Sequence, residues 1–232
     1  MSTSKNDKHD GHRERMREKF IKYGADAFNE HEFLEMLLYY SISRKNTNEI
    51  AHDLINHFGN FKNVFDADIK ELEKVSGIGE NCAFLIKLIP ELSRLYFESG
   101  YDNSKKKMCS KELLYELLIP KYIGKTNECC YVVFMDMKYR LISCDMLFEG
   151  TFNRVDINFK KILERALRYK ATNIVISHNH LNDTFPSASD VVETKRLLEK
   201  LENVQITLCD HIIISNNQAL SMKESGYFES FK

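Results

Sequence analysis

The sequence predicts an α+β protein in which a small all-helical domain precedes a domain of mixed strands and helices. Apolar residues recur at helical spacing through residues 12–97, and a polar segment with three consecutive lysines follows. Short apolar runs typical of strands appear only after that segment. We therefore divide the chain into a helical domain at residues 1–100, a linker at residues 101–110 and a second domain at residues 111–232.

The composition is that of a folded protein without a strong overall charge. Of the 232 residues, 43% are hydrophobic, and 33 basic residues nearly balance 34 acidic ones. Such a chain can bury a core, and any contact with nucleic acid must come from a local patch. No apolar run reaches the roughly 18 residues of a membrane span, and the polar N-terminus lacks the apolar core of a signal peptide. We expect a cytoplasmic protein with no membrane partner and with six free cysteines.

Helical signals fill the first domain. Apolar stripes, capping boxes and a glycine stop predict five helices. They cover approximately residues 12–22, 31–40, 46–59, 68–75 and 80–97. Pro90 lies inside the last segment and is expected to kink or interrupt that helix, because proline has no amide proton and its ring collides with the preceding turn.

A glycine-rich turn separates the last two helices of this domain. Gly77-Ile78-Gly79 resembles the hairpin of helix-hairpin-helix domains, in which glycines permit a tight turn and the next helix N-terminus offers amide groups to a phosphate. Gly77 and Gly79 are therefore candidate residues for non-specific DNA contact. The competing interpretation is a simple turn between helices, and the neighbouring charges are mixed rather than basic. These charges are Lys74, Lys87, Glu71, Glu73 and Glu80, with a lysine run at 105–107 further along.

The second domain is predicted to alternate helices and strands. Helices are expected at residues 111–118, 159–170 and 187–202, and strands at residues 131–136, 141–148, 173–177, 205–208 and 211–215. The run Asn173–Ser177 is short, apolar and β-branched, which suits a buried strand.

A possible metal site follows that buried strand. His178 and His180 are two residues apart on an extended segment, so both imidazoles can point the same way. With Asp190 they form the two-histidine, one-carboxylate set of a zinc site that keeps a fourth position open. The competing interpretation is that the histidines are polar loop residues and that Ser187-x-x-Asp190 only starts a helix. The two interpretations are compatible, because a helix start would hold Asp190 in place.

The His178-x-His180 and Ser187-x-x-Asp190 pattern resembles the JAMM motif of JAB/MPN metalloproteases, and most closely the RadC family. Further matching segments lie across nearly the whole chain. They are HRERMREKF, EFLEMLL, SGIGENCA, Phe148-Glu149-Gly150-Thr151, Ala166-Leu167, Asp210–Ile214, Ser221 and Gly226. The resemblance implies a helix-hairpin-helix-like domain followed by a cytidine-deaminase-like JAB/MPN α/β domain.

The resemblance also implies roles for individual residues. His178, His180 and Asp190 would bind one zinc ion per chain, and Glu128 would be the general base and later the general acid. Ser187 would donate a hydrogen bond to the tetrahedral oxyanion. The implied activity is that of a peptidase or isopeptidase acting on an unidentified peptide or protein. His211 is left out of the metal set, because orienting a neighbouring group suits it better.

The chain departs from the family pattern at three places. Leu181 replaces the proline that follows the second histidine, and the loop from His180 to Ser187 is one residue shorter and lacks the usual glycine. Residues 158–161 replace a characteristic Pro-Arg-Glu. The ligands are unaffected, whereas the shape of a substrate groove would change.

Two other functions are compatible with these residues. The chain could be a DNA-associated repair or recombination accessory, or a scaffold, with a weak or inactive metal site. It could also use zinc to cleave a phosphodiester, because the same three ligands serve that chemistry.

Overall fold

The computed structural model of the chain describes residues 5–43, 45–99, 107–149 and 155–231. The chain separates into two compact units, Met1–Leu92 and Ser93–Lys232. The α+β prediction is confirmed, with helices in the N-terminal part and a five-stranded sheet in the C-terminal part. None of the described helices is both long and apolar enough to cross a membrane.

Several helices of the N-terminal part begin at side-chain caps. Their bounds are α1 Lys5–Tyr23, α2 Glu30–Leu38, α3 Thr47–Phe58, α4 Phe61–Asp66, α5 Ile69–Leu72 and α6 Glu80–Ser99. Asn29 and Glu32 form a capping box at α2, and the Asn46 side chain accepts a hydrogen bond from the Asn48 amide at α3. The core of this unit includes the fully buried side chains Leu34, Leu38, Leu54, Val64, Leu72, Ala83 and Ile86.

Two helical features of this unit differ from the predictions. The short helix α4 was not predicted, because six residues are too few to show an apolar period. Pro90 does not interrupt α6, which continues to Ser99, and a kink at this position stays a prediction. Proline removes one amide hydrogen bond from this helix of 20 residues, and the helix continues on both sides of it.

In the hairpin before α6, position 77 has no room for a side chain. Gly77 has a φ of +95°, and a Cβ atom at this position would lie 2.7 Å from Cδ1 of Ile50. A Cβ at Gly79 would meet no atom within 4 Å. Lys87 Nζ donates to the main-chain carbonyls of Phe65 and Asp66, so this lysine stabilises the unit internally. DNA contact through Gly77 and Gly79 stays a prediction.

The C-terminal sheet has the strand order β2-β1-β3-β4-β5. The strands are β1 Cys129–Met135, β2 Leu141–Glu149, β3 Asn173–Asn179, β4 Thr207–Ser215 and β5 Gln218–Ser221. The helices are α7 Lys111–Leu118, α8 Val155–Tyr169 and α9 Ala188–Glu202. Strands β3 and β4 are parallel and joined through α9, and the other neighbouring pairs are antiparallel.

Two apolar layers cover the sheet, and they explain why its central strands are apolar on both faces. Leu114, Leu117 and Leu118 of α7 pack on one face, and Ile162 of α8 and Leu197 of α9 pack in the cluster on the other. Every residue of β1 and β3 is buried. The ends of these two strands can therefore be held rigidly.

The strand predictions need one correction and one addition. The segments 205–208 and 211–215 belong largely to one strand, β4. The polar residue Asp210 does not break it, because its carboxylate accepts hydrogen bonds from Ser221 Oγ and from the amides of His211 and Lys223. The four-residue strand β5 was not predicted.

The end of the predicted linker packs against the sheet domain. Residues 101–106 lie outside the described residues, together with Lys105 and Lys106 of the lysine run. The main chain of Lys107 forms an isolated antiparallel β-bridge with that of Arg140. The Met108 amide donates to the Tyr139 carbonyl at 2.8 Å, and the Met108 side chain is buried. This contact was not predicted, because Met108 lies in a polar segment that is typical of a linker.

The hairpin generates a prediction about stability. Gly77→Ala should destabilise the N-terminal unit by about 2 kcal/mol, because it combines an unfavourable φ with a collision against Ile50. Gly79→Ala is the matched control and should change the free energy of unfolding by less than about 0.5 kcal/mol. Urea unfolding followed by circular dichroism measures both, and equal midpoints for the two variants would contradict the prediction.

Candidate metal centre

The end of β3 and the start of α9 bring three polar side chains together. His178 lies in β3, and the His180 amide donates to the Ile214 carbonyl at 2.9 Å, which prolongs the pairing with β4. Asp190 occupies the first turn of α9. One ligand atom from each of these three residues lies within 4.8 Å of the other two. His178 and Asp190 are buried, and His180 is partly buried.

The three ligand atoms converge on a small volume. Nε2 of His178 lies 2.8 Å from Nε2 of His180. The Asp190 carboxylate lies 3.4 Å from Nε2 of His178 through Oδ1 and 3.2 Å from Nε2 of His180 through Oδ2. The arrangement places two ring nitrogens and a carboxylate around one point, which is a donor set that divalent transition metals accept.

Asp190 is oriented by the cap of its own helix. Ser187 Oγ accepts a hydrogen bond from the Asp190 amide, and Asp190 Oδ2 accepts from the Ser187 amide at 2.8 Å and from Ser187 Oγ at 2.7 Å. Ser187 and Asp190 thus start a helix, and the same Asp190 lies beside both histidines, so the two interpretations of this motif are compatible. In this arrangement the Ser187 proton points at Asp190, and the predicted hydrogen bond to an oxyanion would require the hydroxyl to rotate.

A buried hydrogen-bonded chain behind His178 selects its tautomer. Thr194 Oγ1 donates to the Asp190 main-chain carbonyl at 2.5 Å, because a carbonyl can only accept. Nδ1 of His211, 2.6 Å away, must then donate to Thr194 Oγ1. Nε2 of His211 is left to accept from Nδ1 of His178 at 2.7 Å. Nε2 of His178 therefore carries no proton, and its lone pair points toward His180 and Asp190.

The pKa of His178 and the pKa of His180 are shifted in opposite directions. Burial lowers the pKa of His178 to about 4, and burial also lowers the pKa of His211. Both rings are thus neutral at pH 7, as the hydrogen-bonded chain requires. The hydrogen bond with Asp190 raises the pKa of His180, and the negative charge of Glu128 acts in the same direction.

Glu128 lies near this group. The β1–β3 ladder ends at the antiparallel pair Cys130 and His178. Glu128 precedes Cys130 by two residues and His180 follows His178 by two residues, so the same register continued past the ladder would set Glu128 across from His180. Glu128 is partly buried, directly precedes β1, and its negative charge acts on His180. The predicted base therefore lies near one predicted ligand, although the two are far apart in sequence.

Sequence reasoning missed two members of this arrangement. Thr194 is fully buried and follows Asp190 by one helical turn, so the spacing alone could have placed both on one face of α9. Asn179 stands between the two histidines in sequence, but strand alternation points its side chain to the other face. His211 contacts His178 and lies outside the three-ligand group found among the described residues.

Known proteins resemble both parts of this chain. A family model described as the RadC-like JAB domain matches residues 108–227, and one described as the UPF0758 N-terminal domain matches residues 8–84. A UPF0758 protein of Fusobacterium nucleatum subsp. nucleatum is 34% identical over 223 residues, which are 93% of this chain and 96% of the relative.

The hydrogen-bonded chain leads to a prediction about zinc affinity. Thr194→Val removes the hydroxyl that holds His211, so His178 should lose its fixed tautomer and zinc affinity should fall about tenfold to a hundredfold. Thr194→Ser keeps the hydroxyl and is the control. Competition with a chromogenic chelator measures the zinc affinity of both variants. An unchanged affinity in Thr194→Val would show that the hydrogen bonds from Thr194 through His211 to His178 do not affect zinc binding.

Proposed function

Because the chain belongs to the RadC-like JAB domain family, we propose that it is a zinc-dependent hydrolase that cleaves peptide or isopeptide bonds. The observation that carries the proposal is the convergence of His178, His180 and Asp190, with Glu128 near enough for its charge to act on His180. A carboxylate beside a three-ligand metal group is the arrangement that metal-assisted hydrolysis needs.

The spacing of the ligand residues is close to that of a zinc site. Ligand atoms about 2.1 Å from a tetrahedral zinc lie roughly 3.4 Å from one another. Oδ1 of Asp190 lies 3.4 Å from Nε2 of His178, and the other carboxylate oxygen, Oδ2, lies 3.2 Å from Nε2 of His180. The two histidine nitrogens are 2.8 Å apart, so they would have to separate slightly around the ion. Two imidazoles and one carboxylate also form the donor set of catalytic rather than structural zinc.

The residues around the ligands have separate tasks in this proposal. His178, His180 and Asp190 would hold the zinc ion, which when bound would supply a Lewis acid and activate a water molecule. Glu128 takes a proton from the attacking water and delivers it to the leaving amine. Asp190 holds its orientation through the Ser187 cap, and Ser187 is proposed to turn its hydroxyl toward the oxyanion.

The loop between the ligands is where substrate selectivity is expected. Leu181 and Phe185 are exposed by 57% and 70%, and the Phe185 amide is held by the Asp183 carboxylate. Exposed apolar side chains next to a polar site favour an apolar or unfolded peptide over a nucleic acid backbone. Hydrolysis of DNA that depends on Glu128, with no hydrolysis of a peptide library, would replace the peptidase proposal by the phosphodiesterase alternative.

The ligand assignment predicts the metal content of variants. The purified chain should contain about one zinc ion, and Asp190→Ala should contain almost none, because two histidines alone bind zinc weakly. Asp183→Ala removes a carboxylate from the same loop that is not a ligand, and it should retain the ion. Elemental analysis by mass spectrometry measures all three, and a zinc-free native chain would end the proposal.

The opposite pKa shifts of the histidines predict the proton release on zinc binding. At pH 6 His180 is protonated, because its pKa lies above the ordinary 6.5, whereas His178 is neutral down to about pH 4. Zinc should therefore displace about one proton at pH 6, and affinity should fall about tenfold for each pH unit below the pKa of His180. Calorimetry in buffers of different ionisation enthalpy counts the protons. A release of two would show that both imidazoles are charged in the metal-free chain.

A further inference from the structure

The side chain of Asn179 spans the main chain on both sides of Glu128. Asn179 Oδ1 accepts a hydrogen bond from the Cys129 amide at 2.6 Å, and Asn179 Nδ2 donates to the Asn127 carbonyl at 3.1 Å. Asn179 is 5% exposed, so both bonds form away from bulk water. One carboxamide thus contacts the residue before Glu128 and the residue after it.

These two bonds replace the backbone ladder where it stops. The pairing of β1 with β3 ends at Cys130 and His178, so residues 127–129 lie beyond the paired part of these two strands. The Asn179 carboxamide continues the contact by one step. On the other side Cys129 pairs with Glu149 of β2, and Asn127 Nδ2 donates to Glu149 Oε1 at 3.3 Å. The segment before β1 is therefore held by both neighbouring strands.

Asn179 lies between the two histidines in sequence, so the bracing of Glu128 is linked to the position of the proposed metal ligands. Strand alternation sends the side chains of His178 and His180 to one face and that of Asn179 to the other. A short segment of β3 thus carries two metal ligands on one face and the brace for Glu128 on the other. Any shift of β3 moves the ligands and the main chain of Glu128 together.

We propose that Asn179 is a positioning residue, which fixes the main chain around Glu128 so that its carboxylate stays beside His180. The inference rests on the proposed function, in which Glu128 is the base. Asparagine suits this position because its side chain offers one acceptor and one donor, as the Cys129 amide and the Asn127 carbonyl require. Aspartate would keep the first bond and set a carboxylate against a carbonyl at the second, and leucine would lose both.

The chain offers a matched control on the same strand. Asn173, at the other end of β3, is also buried, and its Nδ2 donates to the Asp136 carbonyl at 2.7 Å beyond the far end of β1. Asn173→Leu and Asn179→Leu make the same chemical change to a buried asparagine that braces β1. They lie about 20 Å apart along the strand, so only one of them is near the ligands.

The experiment uses the full chain loaded with Co²⁺ alone, compared across Asn179→Leu, Asn179→Ala, Asn173→Leu and Glu128→Gln. Hydrogen exchange of the Cys129 amide tests the brace without metal, and it should be about tenfold faster in Asn179→Leu than in the native chain. The pH midpoint of the cobalt absorption spectrum tests the position of Glu128. It should fall in Glu128→Gln, since a nearby negative charge opposes ionisation at the metal.

Asn179→Leu and Asn179→Ala should both lower this midpoint, as Glu128→Gln does, with one cobalt ion still bound. Asn173→Leu should leave the midpoint unchanged. Native exchange of Cys129 in Asn179→Leu overturns the inference, as does a native midpoint in Asn179→Leu when Glu128→Gln shifts it. In both cases the proposed function survives. A native midpoint in Glu128→Gln overturns the function and the inference together. If Asn179→Leu does not fold, Asn179→Ala decides by the same criteria.

Discussion

The carboxylate of Asp190 joins the start of α9 to the end of β3, and the geometry of the site depends on that junction. Its amide and carboxylate form the capping box with Ser187, and the same carboxylate faces both histidines. A helix start has unpaired amides that must be satisfied in any case. Here the group that satisfies them also completes a set of three ligand atoms, so no separate loop is needed to present the acid.

A buried series of hydrogen bonds inside an apolar layer gives this junction its rigidity. The main chain of Asp190 binds Thr194, Thr194 binds His211 and His211 binds His178, whose unprotonated Nε2 faces the Asp190 carboxylate. Thr194 and His211 are fully buried, so an unmade bond in the series would be costly. The bonds of the series also fix which nitrogen of each ring carries the proton.

The three converging side chains could be predicted from local sequence patterns. Contacts between residues far apart in the sequence could not be predicted in this way. His178, His180 and Asp190 follow from strand alternation and a helix-start signature, both of which act within a few residues. Glu128 came only from family resemblance, because its place depends on the register between β1 and β3. Asn179 and Thr194 were missed because their partners lie on other strands or helices. The helix α4 and the strand β5 are too short to show a period.

The double use of Asp190 couples local folding to ligand occupancy. An ion bound at this carboxylate would hold the first turn of α9 as well as the histidines, so opening that turn and releasing the ion are linked equilibria. At a free ion concentration one hundred times the dissociation constant, the folded state would gain about 2.7 kcal/mol. The chain would then be most open to proteolysis near Ser187 when the metal is scarce, and metal supply would set its lifetime as well as its chemistry.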